Sequence, residues 1–199
     1  FAAALLPNEV DKILYLDGDI IIMDSLRSLW ELNIDGVAVA GVMDNDQSFA
    51  QFNRLHYPSK LGYINNGVLM INLNYWRDHQ IERRFVSFIY EHSDWIKWHD
   101  QDVLNYVLRE EKQLLPLKYN VQHTFYFKPE YSLIDYWSVY TELHDALRSP
   151  IILHYTSMLK PWYAGCPHPK AQVFLDYKKK TIWADTPLLK AKRTLKERV

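Results

Sequence analysis

The 199-residue chain has a single cysteine, almost no net charge and no long apolar run. Because Cys166 stands alone, no disulfide can form within the chain, which excludes the small secreted folds that depend on disulfides. A formal net charge of −1 gives no general reason to expect nucleic-acid binding. No apolar run approaches the roughly 20 residues that a membrane-spanning helix needs. The length suits one well-buried globular domain and is too short for two of ordinary size.

What the chain does contain is a series of short apolar runs that alternate with helix-like segments. This alternation predicts a layered α/β domain. Lys12–Leu16 is a continuous apolar run, typical of a strand buried on both faces. The other predicted strands are 37–42, 63–73, 114–119 and 151–154, and the predicted helices are 25–30 (with Asp24 or Ser25 as N-cap), a pair within 75–93, and 99–110. Residues 47–60 are predicted to form a loop or a short helix, and 123–138 an irregular aromatic loop.

Two carboxylates interrupt the most hydrophobic segment, K-I-L-Y-L-D-G-D-I-I-I-M. Taken alone, the stretch leaves three interpretations open. Asp17-Gly18 between apolar runs is a strong β-hairpin signal. Asp17 is also a candidate phosphatase-type nucleophile at the end of a parallel strand. In the third interpretation the chain turns at Gly18, so that Asp17 and Asp19 hold one Mg²⁺ or Mn²⁺ ion through their hard oxygens.

Polar side chains also fall at the ends of other predicted strands. They are Asp44, the Asn65-Asn66-Gly67 triplet and His154. Burial alone does not explain polar side chains at the ends of several apolar strands. The ligand crevice of an open α/β sheet lies outside the carboxyl ends of its strands, so this pattern indicates a ligand site there. Burying two adjacent amides costs free energy unless they are hydrogen-bonded, so Asn65 and Asn66 either form a bulge or face a sugar hydroxyl.

Two further groups of residues have both a structural and a functional interpretation. His154 is either a structural histidine of the core or surface, or a ligand for Mn²⁺. Lys160 is either a solvated charge or an ammonium group that binds phosphate. A predicted helix begins at Asp100, Gln101 and Asp102. Acids in a first turn stabilise a helix through its dipole and its caps, and the alternative is that these side chains contact a ligand.

The C-terminal part of the chain is basic. From Lys178 to Val199 there are eight basic residues against two acidic ones, interspersed with apolar side chains. Such a segment is either a solvated tail or a contact for an anionic membrane surface. We therefore predict a helical, basic tail over 166–199 that follows the α/β domain over 1–165.

The order of these motifs resembles one family, the retaining nucleotide-sugar glycosyltransferases of family eight. That family includes bacterial lipopolysaccharide galactosyl- and glucosyltransferases and glycogenin. The segments that carry the resemblance run from about Asp11 to Trp162: K-I-L-Y-L-D-G-D-I, D-S-L-R-S-L-W, A-V-A-G-V-M-D, Y-I-N-N-G-V-L-M-I-N-L-N-Y-W-R, H-D-Q-D-V-L-N, L-P-L-K-Y-N-V-Q and H-Y-T-S-M-L-K-P-W.

The resemblance implies a role for each matching residue. Gln101 would lie beside the anomeric carbon, with Asp100 as its catalytic neighbour. The metal ligands would be Asp17, Asp19 and His154, holding Mn²⁺ (or Mg²⁺) against the diphosphate. The substrate-binding residues would be Asp17, Gly18, Asp44, Asn65, Asn66, Gly67, Asp100, Gln101, His154, Ser157 and Lys160, with Lys160 on the phosphates and Asp44, Asn65 and Asp100 on the sugar hydroxyls.

The resemblance also implies a fold and an activity. The expected fold is the nucleotide-diphospho-sugar transferase fold, a Rossmann-like three-layer α/β/α arrangement with a mixed sheet. The expected activity is transfer of glucose or galactose from a UDP-sugar to a saccharide or lipid-linked saccharide, in the cytoplasm or at the inner face of the membrane. The alternatives are a non-catalytic sugar-binding module and a phosphatase-like hydrolase; Ile21 stands where the latter would have Thr or Val.

The chain departs from the family pattern at two positions and at its start. The family usually has glycine where this chain has Ser157, and serine or alanine where it has Asn66. The family's first strand and helix, which cradle the uracil and ribose, have no counterpart before Phe1. We expect the chain to be the downstream part of a longer protein.

Overall fold

A computed structural model describes residues 1–45, 49–127, 136–156, 158 and 160–190. Strands and helices alternate along much of the chain. The strands are β1 (Lys12–Leu16), β2 (Ile20–Ile22), β3 (Val39–Met43), β4 (Ile64–Asn72), β5 (Lys112–Leu115), β6 (Val121–Gln122) and β7 (Ile152–His154). The helices are α1 (Ala2–Leu5), α2 (Arg27–Trp30), α3 (Phe49–Leu55), α4 (Leu73–Asp78), α5 (Ile81–Glu91), α6 (His99–Val107), α7 (Tyr136–Arg148) and α8 (Ala171–Lys178).

The strands form two sheets. The larger has the order β1-β4-β3-β5, with β4 antiparallel to both of its neighbours and β3 parallel to β5. The smaller has the order β2-β7-β6. Because β1 pairs with β4 and β2 pairs with β7, the chain changes sheets between Leu16 and Ile20. The hairpin interpretation of Asp17-Gly18-Asp19 is therefore wrong. The phosphatase interpretation lacks its parallel strand, since β1 runs antiparallel to β4.

Helices cover both faces of the larger sheet. Alternation along β4 directs Val68 and Met70 to one face and Leu69 and Ile71 to the other. The first face packs against α2 and α7, and the second against α4, α5 and α6. Each fully buried aliphatic side chain in these layers contributes about 1.5–3 kcal/mol. The predicted three-layer α/β/α arrangement with a mixed sheet is confirmed.

Most predicted elements are present with shifted ends. β1, β3, β4, β7, α2 and α6 lie within the predicted ranges or one residue beyond them, and α4 and α5 form the predicted helical pair. The segment 47–60 contains the short helix α3. The predicted strand 114–119 is divided, since β5 ends at Leu115 and a 3₁₀ turn follows Pro116 at Leu117–Tyr119. Proline lacks the N–H that would continue the ladder.

Four expectations are wrong. β1 is only half-buried, with Tyr15 45% exposed, because no strand of the described residues pairs with its outer edge. The N-cap of α2 is Leu26; Asp24 accepts from the Ser25 N–H, and the Ser25 hydroxyl accepts from the N–H of Arg27, the first residue of α2. The triplet Asn65-Asn66-Gly67 begins the antiparallel strand β4 instead of ending a strand. Helix α7 replaces the end of the predicted irregular loop, of which 128–135 lie outside the described residues.

The segment after residue 165 packs back onto the domain. The Leu189 N–H donates to the Trp162 carbonyl at 2.9 Å, and the Leu189 carbonyl accepts from the Ala164 N–H at 2.8 Å. The Tyr177 hydroxyl donates to the Ile22 carbonyl at 2.8 Å. The last nine residues, which carry Lys192, Arg193, Lys196 and Arg198, lie outside the described part. Within the described part, every helix is too short or too polar to span a bilayer.

Candidate functional site

The change of sheet brings three potential metal ligands together. The Asp17 N–H donates to the Gly67 carbonyl at 2.9 Å, which anchors Asp17 to the larger sheet. The Asp19 carbonyl accepts from the Tyr155 N–H at 3.0 Å, which anchors Asp19 to the smaller one. His154 is the last residue of β7. Ligand atoms of Asp17, Asp19 and His154 lie within 4.8 Å of one another. We call these three residues the acid–histidine cluster.

The three side chains of the acid–histidine cluster differ in their exposure to solvent. The His154 side chain is 3% exposed, that of Asp19 16% and that of Asp17 35%. His154 Nε2 lies 3.2 Å from Asp19 Oδ1 and 3.6 Å from Asp17 Oδ2. The Tyr15 hydroxyl donates to Asp17 Oδ1 at 2.8 Å, and this bond, with burial, raises the pKa of Tyr15 to about 12. One side of the cluster is therefore open to a ligand and the other is held by the protein.

A lysine ammonium group already neutralises part of the cluster. Lys160 Nζ donates to Asp19 Oδ2 and to the Tyr155 carbonyl. Burial raises the pKa of the Asp19 carboxyl, but hydrogen bonds and charge from His154 and Lys160 outweigh it and lower that pKa to about 2. Asp19 is therefore ionised at neutral pH and positioned between two positively charged or hydrogen-donating groups.

Gly67 makes room for the histidine. A Cβ atom at this position would lie 2.2 Å from His154 Cε1 and 2.9 Å from Asp17 Oδ2. Real Cβ atoms do not approach other atoms so closely, so the cluster requires glycine here. Gly18 differs, because a Cβ there would meet no atom within 4 Å. The space beside Gly18 is open, and its backbone does not need glycine's left-handed conformation.

A second polar group adjoins the acid–histidine cluster at the start of β4. Asp44 Oδ2 accepts from Asn65 Nδ2 at 2.9 Å and from Gln101 Nε2 at 3.2 Å. Gln101 Oε1 in turn accepts from the Asn66 N–H at 3.2 Å. Asn66 Nδ2 donates to the exposed Asp100 at 2.7 Å. These five residues form the amide–carboxylate group.

Asp102, two residues from Asp100, has a different environment. Its side chain is fully buried and accepts five hydrogen bonds. Two come from the Arg54 guanidinium at 2.9 Å each and one from the Tyr63 hydroxyl at 2.8 Å. The other two come from the N–H groups of Lys97 and Trp98. Burial raises the Asp102 pKa, but these donors outweigh it and the pKa is lowered. This Asp102 network fixes the start of α6.

The acid–histidine cluster fits a divalent cation. Two carboxylates and an imidazole are the donor types that Mn²⁺ and Mg²⁺ sites in proteins use, with the imidazole favouring Mn²⁺. The contacts of Asp19 with the Lys160 ammonium show that this position already holds a positive charge. The histidine is buried and directed at both carboxylates, which is the arrangement a metal ligand needs.

Comparison with protein families decides the identity of the chain. The sequence profile of glycosyl transferase family 8 matches residues 1–166. The chain belongs to glycosyl transferase family 8. This match spans the acid–histidine cluster, the amide–carboxylate group and Lys160, and it ends where the segment leading to α8 begins.

Curated relatives of the chain include proteins named as lipopolysaccharide glucosyltransferases. The lipopolysaccharide glucosyltransferase WaaO of Escherichia coli K12 is 30% identical over 190 residues, covering 92% of this chain and 53% of WaaO. A lipopolysaccharide 1,2-glucosyltransferase of the same strain is 29% identical over 188 residues, covering 93% of this chain and 54% of that protein. The chain thus spans about half the length of these curated relatives.

Solved structures share the fold. The galactosyltransferase LgtC, crystallised with donor and acceptor sugar analogs, superposes with a TM-score of 0.78 at 23% identity. The superposition covers 98% of this chain and 67% of LgtC. This likeness confirms the predicted glycosyltransferase fold of the family 8 chain.

The structure brings most of the predicted site residues to one edge of the sheets. The acid–histidine cluster, Gly18, Gly67, Lys160 and the amide–carboxylate group are contiguous through the contacts above. Ser157 lies outside the described residues. Whether these residues bind substrate stays a prediction. Asn65 already uses its whole amide within the protein, on Asp44, Gln101, Gly67 and Asn120.

Sequence reasoning missed two side chains that hold the site. Tyr15 donates a hydrogen bond to Asp17 from a position within the apolar run of β1, which the sequence pattern assigns to the core. Asn120 pairs with His154 Nδ1 at 2.9 Å from a position 34 residues earlier. The only available signal for Asn120 was an amide following an apolar run in the motif L-P-L-K-Y-N-V-Q.

Proposed function

We propose that this chain is the catalytic region of a retaining hexosyltransferase that uses a UDP-sugar and a divalent cation. The observation that carries the proposal is the convergence of Asp17, Asp19 and His154 with Lys160. Burial alone does not explain two carboxylates, an imidazole and an ammonium group in one place. Together they offer ligands for a cation and a partner for the phosphates that the cation would bridge.

The proposed donor is UDP-glucose or UDP-galactose. Glucosyl- and galactosyltransferases occur among the relatives by name, which supports a hexose without choosing between the two. Asp44, Asp100 and Gln101 provide carboxylates and an amide suited to sugar hydroxyls, and Asn65 would hold Asp44 and Gln101 in place for them. Gly18, Asn66, Gly67 and Ser157 complete the proposed binding surface. Asp100 is the most exposed of the carboxylates and is open to a new hydrogen bond.

The proposed cofactor is Mn²⁺, with Mg²⁺ as the substitute. Asp17, Asp19 and His154 would hold the ion. When bound, it stabilises negative charge on the diphosphate that leaves. Lys160 now contacts Asp19, and the ion would take over that neutralising role, which frees the Lys160 ammonium for a phosphate oxygen.

The family resemblance implies retention of anomeric configuration, and the chemistry of Gln101 favours one route to it. An amide is a poor nucleophile, so we place Gln101 beside the anomeric carbon as a polar support and assign no covalent intermediate to it. The acceptor hydroxyl attacks on the face from which the diphosphate leaves. The bond from the anomeric carbon to phosphate oxygen breaks, the new glycosidic bond forms, and the hydroxyl proton passes to the leaving phosphate. Asp100 orients the sugar.

The proposed acceptor is a growing cell-surface saccharide, free or lipid-linked, at the cytoplasmic face of the membrane. The catalytic domain is 1–165, and the basic tail 166–199 provides the membrane-surface contact. The side chains of Ile182 and Trp183 are 90% and 63% exposed and follow Lys178, Lys179 and Lys180 in the chain. Exposed apolar groups beside lysines are typical of segments that lie on anionic lipid.

The test is calorimetric titration of UDP into the protein with and without Mn²⁺. We expect binding that requires Mn²⁺ and that Asp19→Ala abolishes. Asp24→Ala is the matched control, because Asp24 is an exposed acid on the same segment that lies outside the acid–histidine cluster. Equal UDP binding with and without Mn²⁺, or unchanged binding in Asp19→Ala, would refute the metal-dependent site.

Turnover separates a transferase from the alternatives. Release of UDP from UDP-hexose that depends on added saccharide acceptor supports transfer. A sugar-binding module would bind without releasing UDP. A hydrolase would release phosphate without any acceptor, and either result contradicts the proposal.

A further inference from the structure

Asn120 connects the two halves of the candidate site and is fully buried. Its Oδ1 lies 2.9 Å from His154 Nδ1, on the side of the ring away from the carboxylates. Its Nδ2 donates to Asn65 Oδ1 at 2.9 Å. Asn120 thus touches both the acid–histidine cluster and the amide–carboxylate group, while the family resemblance assigns it no role.

A backbone group sets the direction of these hydrogen bonds. The Gly67 N–H donates to Asn65 Oδ1 at 3.0 Å, and an N–H cannot accept. The oxygen of Asn65 therefore faces Gly67 and Asn120. On its other side Asn65 Nδ2 faces the Asp44 carboxylate at 2.9 Å, which accepts hydrogen bonds when ionised. The two anchors are independent and require the same orientation of the Asn65 amide.

The orientation of Asn65 determines the tautomer of His154. Because Asn65 presents its oxygen, Asn120 must turn its Nδ2 toward Asn65 and its Oδ1 toward the imidazole. His154 Nδ1 must then carry a proton to complete the hydrogen bond. The lone pair of a neutral ring is then on Nε2, the nitrogen directed at Asp19 and Asp17, where a bound cation would accept it. A histidine binds a metal through its unprotonated nitrogen.

We infer that Asn120 is a positioning residue that holds His154 in the Nδ1–H tautomer and so presents Nε2 to the bound cation. We call the chain from the Gly67 N–H through Asn65 and Asn120 to His154 the amide relay. The inference rests on the proposed function in that it takes the acid–histidine cluster as the cation site. Because Nε2 faces the Asp19 carboxylate when no cation lies between them, the tautomer is measured with a cation bound.

The first arm of the test is ¹⁵N NMR of the histidine rings in protein saturated with Mg²⁺, which is diamagnetic and leaves the ring signals observable. Spectra are recorded about 2.5 pH units above the ordinary histidine pKa, so that imidazoles are neutral. The His154 signals are assigned by their loss in His154→Gln. We expect a protonated Nδ1 and an unprotonated Nε2 in the wild type. An Nε2–H tautomer in the wild type overturns the inference without any variant of Asn120.

The second arm compares variants by NMR and by Mn²⁺ affinity. Asn120→Leu removes the acceptor and is expected to mix the tautomers and weaken Mn²⁺ binding about 10–100-fold, the usual cost of losing such a partner. Asn120→Asp retains an acceptor for Nδ1–H but loses the donor to Asn65 Oδ1, so it should keep the tautomer and lose less affinity than Asn120→Leu. Asn105→Leu is the control, because Asn105 is equally buried and bonds the backbone of Ile64 away from His154.

The outcomes separate positioning from general stability. All three variants lose buried hydrogen bonds, but only Asn120→Leu should change the tautomer. Equal loss of Mn²⁺ affinity in Asn105→Leu, or an unchanged tautomer in Asn120→Leu, overturns the inference. If the wild type binds neither Mn²⁺ nor Mg²⁺, the proposed function fails; if it binds both and Asn120→Leu binds them equally well with the same tautomer, only the inference fails.

Discussion

Asp19 and Asp102 both pair with a positively charged side chain, but their other hydrogen-bond partners differ. The pKa of each lies below its ordinary value in spite of burial. Asp102 is fully buried and its donors include two backbone N–H groups that belong to the fold. Asp19 is 16% exposed, and its side-chain partners are Lys160 and His154. A carboxylate saturated by the fold stabilises structure, whereas one neutralised by side chains can exchange a partner for a ligand.

The Asp102 network should be the more damaging to break. Asp102→Ala leaves the Arg54 guanidinium without its carboxylate and the Lys97 and Trp98 N–H groups without their acceptor. Loss of one partner of a buried ion pair costs about 3–5 kcal/mol in the free energy of unfolding. Urea unfolding measures it. Asp100→Ala, an exposed acid on the same helix, should stay within about 0.5 kcal/mol. Equal effects in the two would contradict the contrast.

The same network predicts a pH dependence. The folded-state pKa of Asp102 is below its unfolded value, so its contribution to stability is present above the ordinary aspartate pKa, about 3.9, and is lost as the pH falls through the folded value. The stability difference between wild type and Asp102→Ala should be constant from neutral pH to about pH 5 and should shrink below about pH 4. Urea unfolding across this range measures it, and a difference that persists unchanged would count against the assignment.

The two glycines of the site should respond unequally to alanine. Gly67→Ala drives a Cβ into the His154 ring and should cost about 1–3 kcal/mol in unfolding free energy, as overpacking does. It should also weaken Mn²⁺-dependent UDP binding, since His154 must move. Gly18→Ala meets no atom within 4 Å and should leave stability near that of the wild type. Thermal or urea unfolding checks both, and an unstable Gly18→Ala with a stable Gly67→Ala would show that the packing is wrong.

The smallest effect is expected at Tyr15. Tyr15→Phe removes one hydrogen bond to Asp17 at a half-exposed position. Such a hydrogen bond ordinarily contributes about 0.5–1.5 kcal/mol, so we expect Mn²⁺ affinity to fall by up to about tenfold. Mn²⁺ titration monitored by electron paramagnetic resonance measures it. Tyr90→Phe, 85% exposed, is the control, and a larger loss there than at Tyr15 would contradict the role of this hydroxyl.

The sequence predicted elements whose pattern is local. The apolar run of β1 and the helical spacing in α5 and α6 identify these segments without reference to the rest of the chain. It also indicated the chemistry of the acid–histidine cluster, because carboxylates in an apolar run have few uses. The sequence did not predict α7, because the aromatic residues at its start were assigned to an irregular loop without a clear period. It also did not predict β2, which pairs only with the distant strand β7.

What the sequence by itself determined is the set of side chains available at the ends of the strands and the family to which the chain belongs. Only the tertiary structure decided that Asp102 is saturated while Asp100 is exposed, two residues apart on one helix. Likewise, the contact between Asn120 and Asn65 joins residues 55 positions apart. Such contacts depend on strand register and on the packing of two sheets, which bring distant residues together and have no local signature in the sequence.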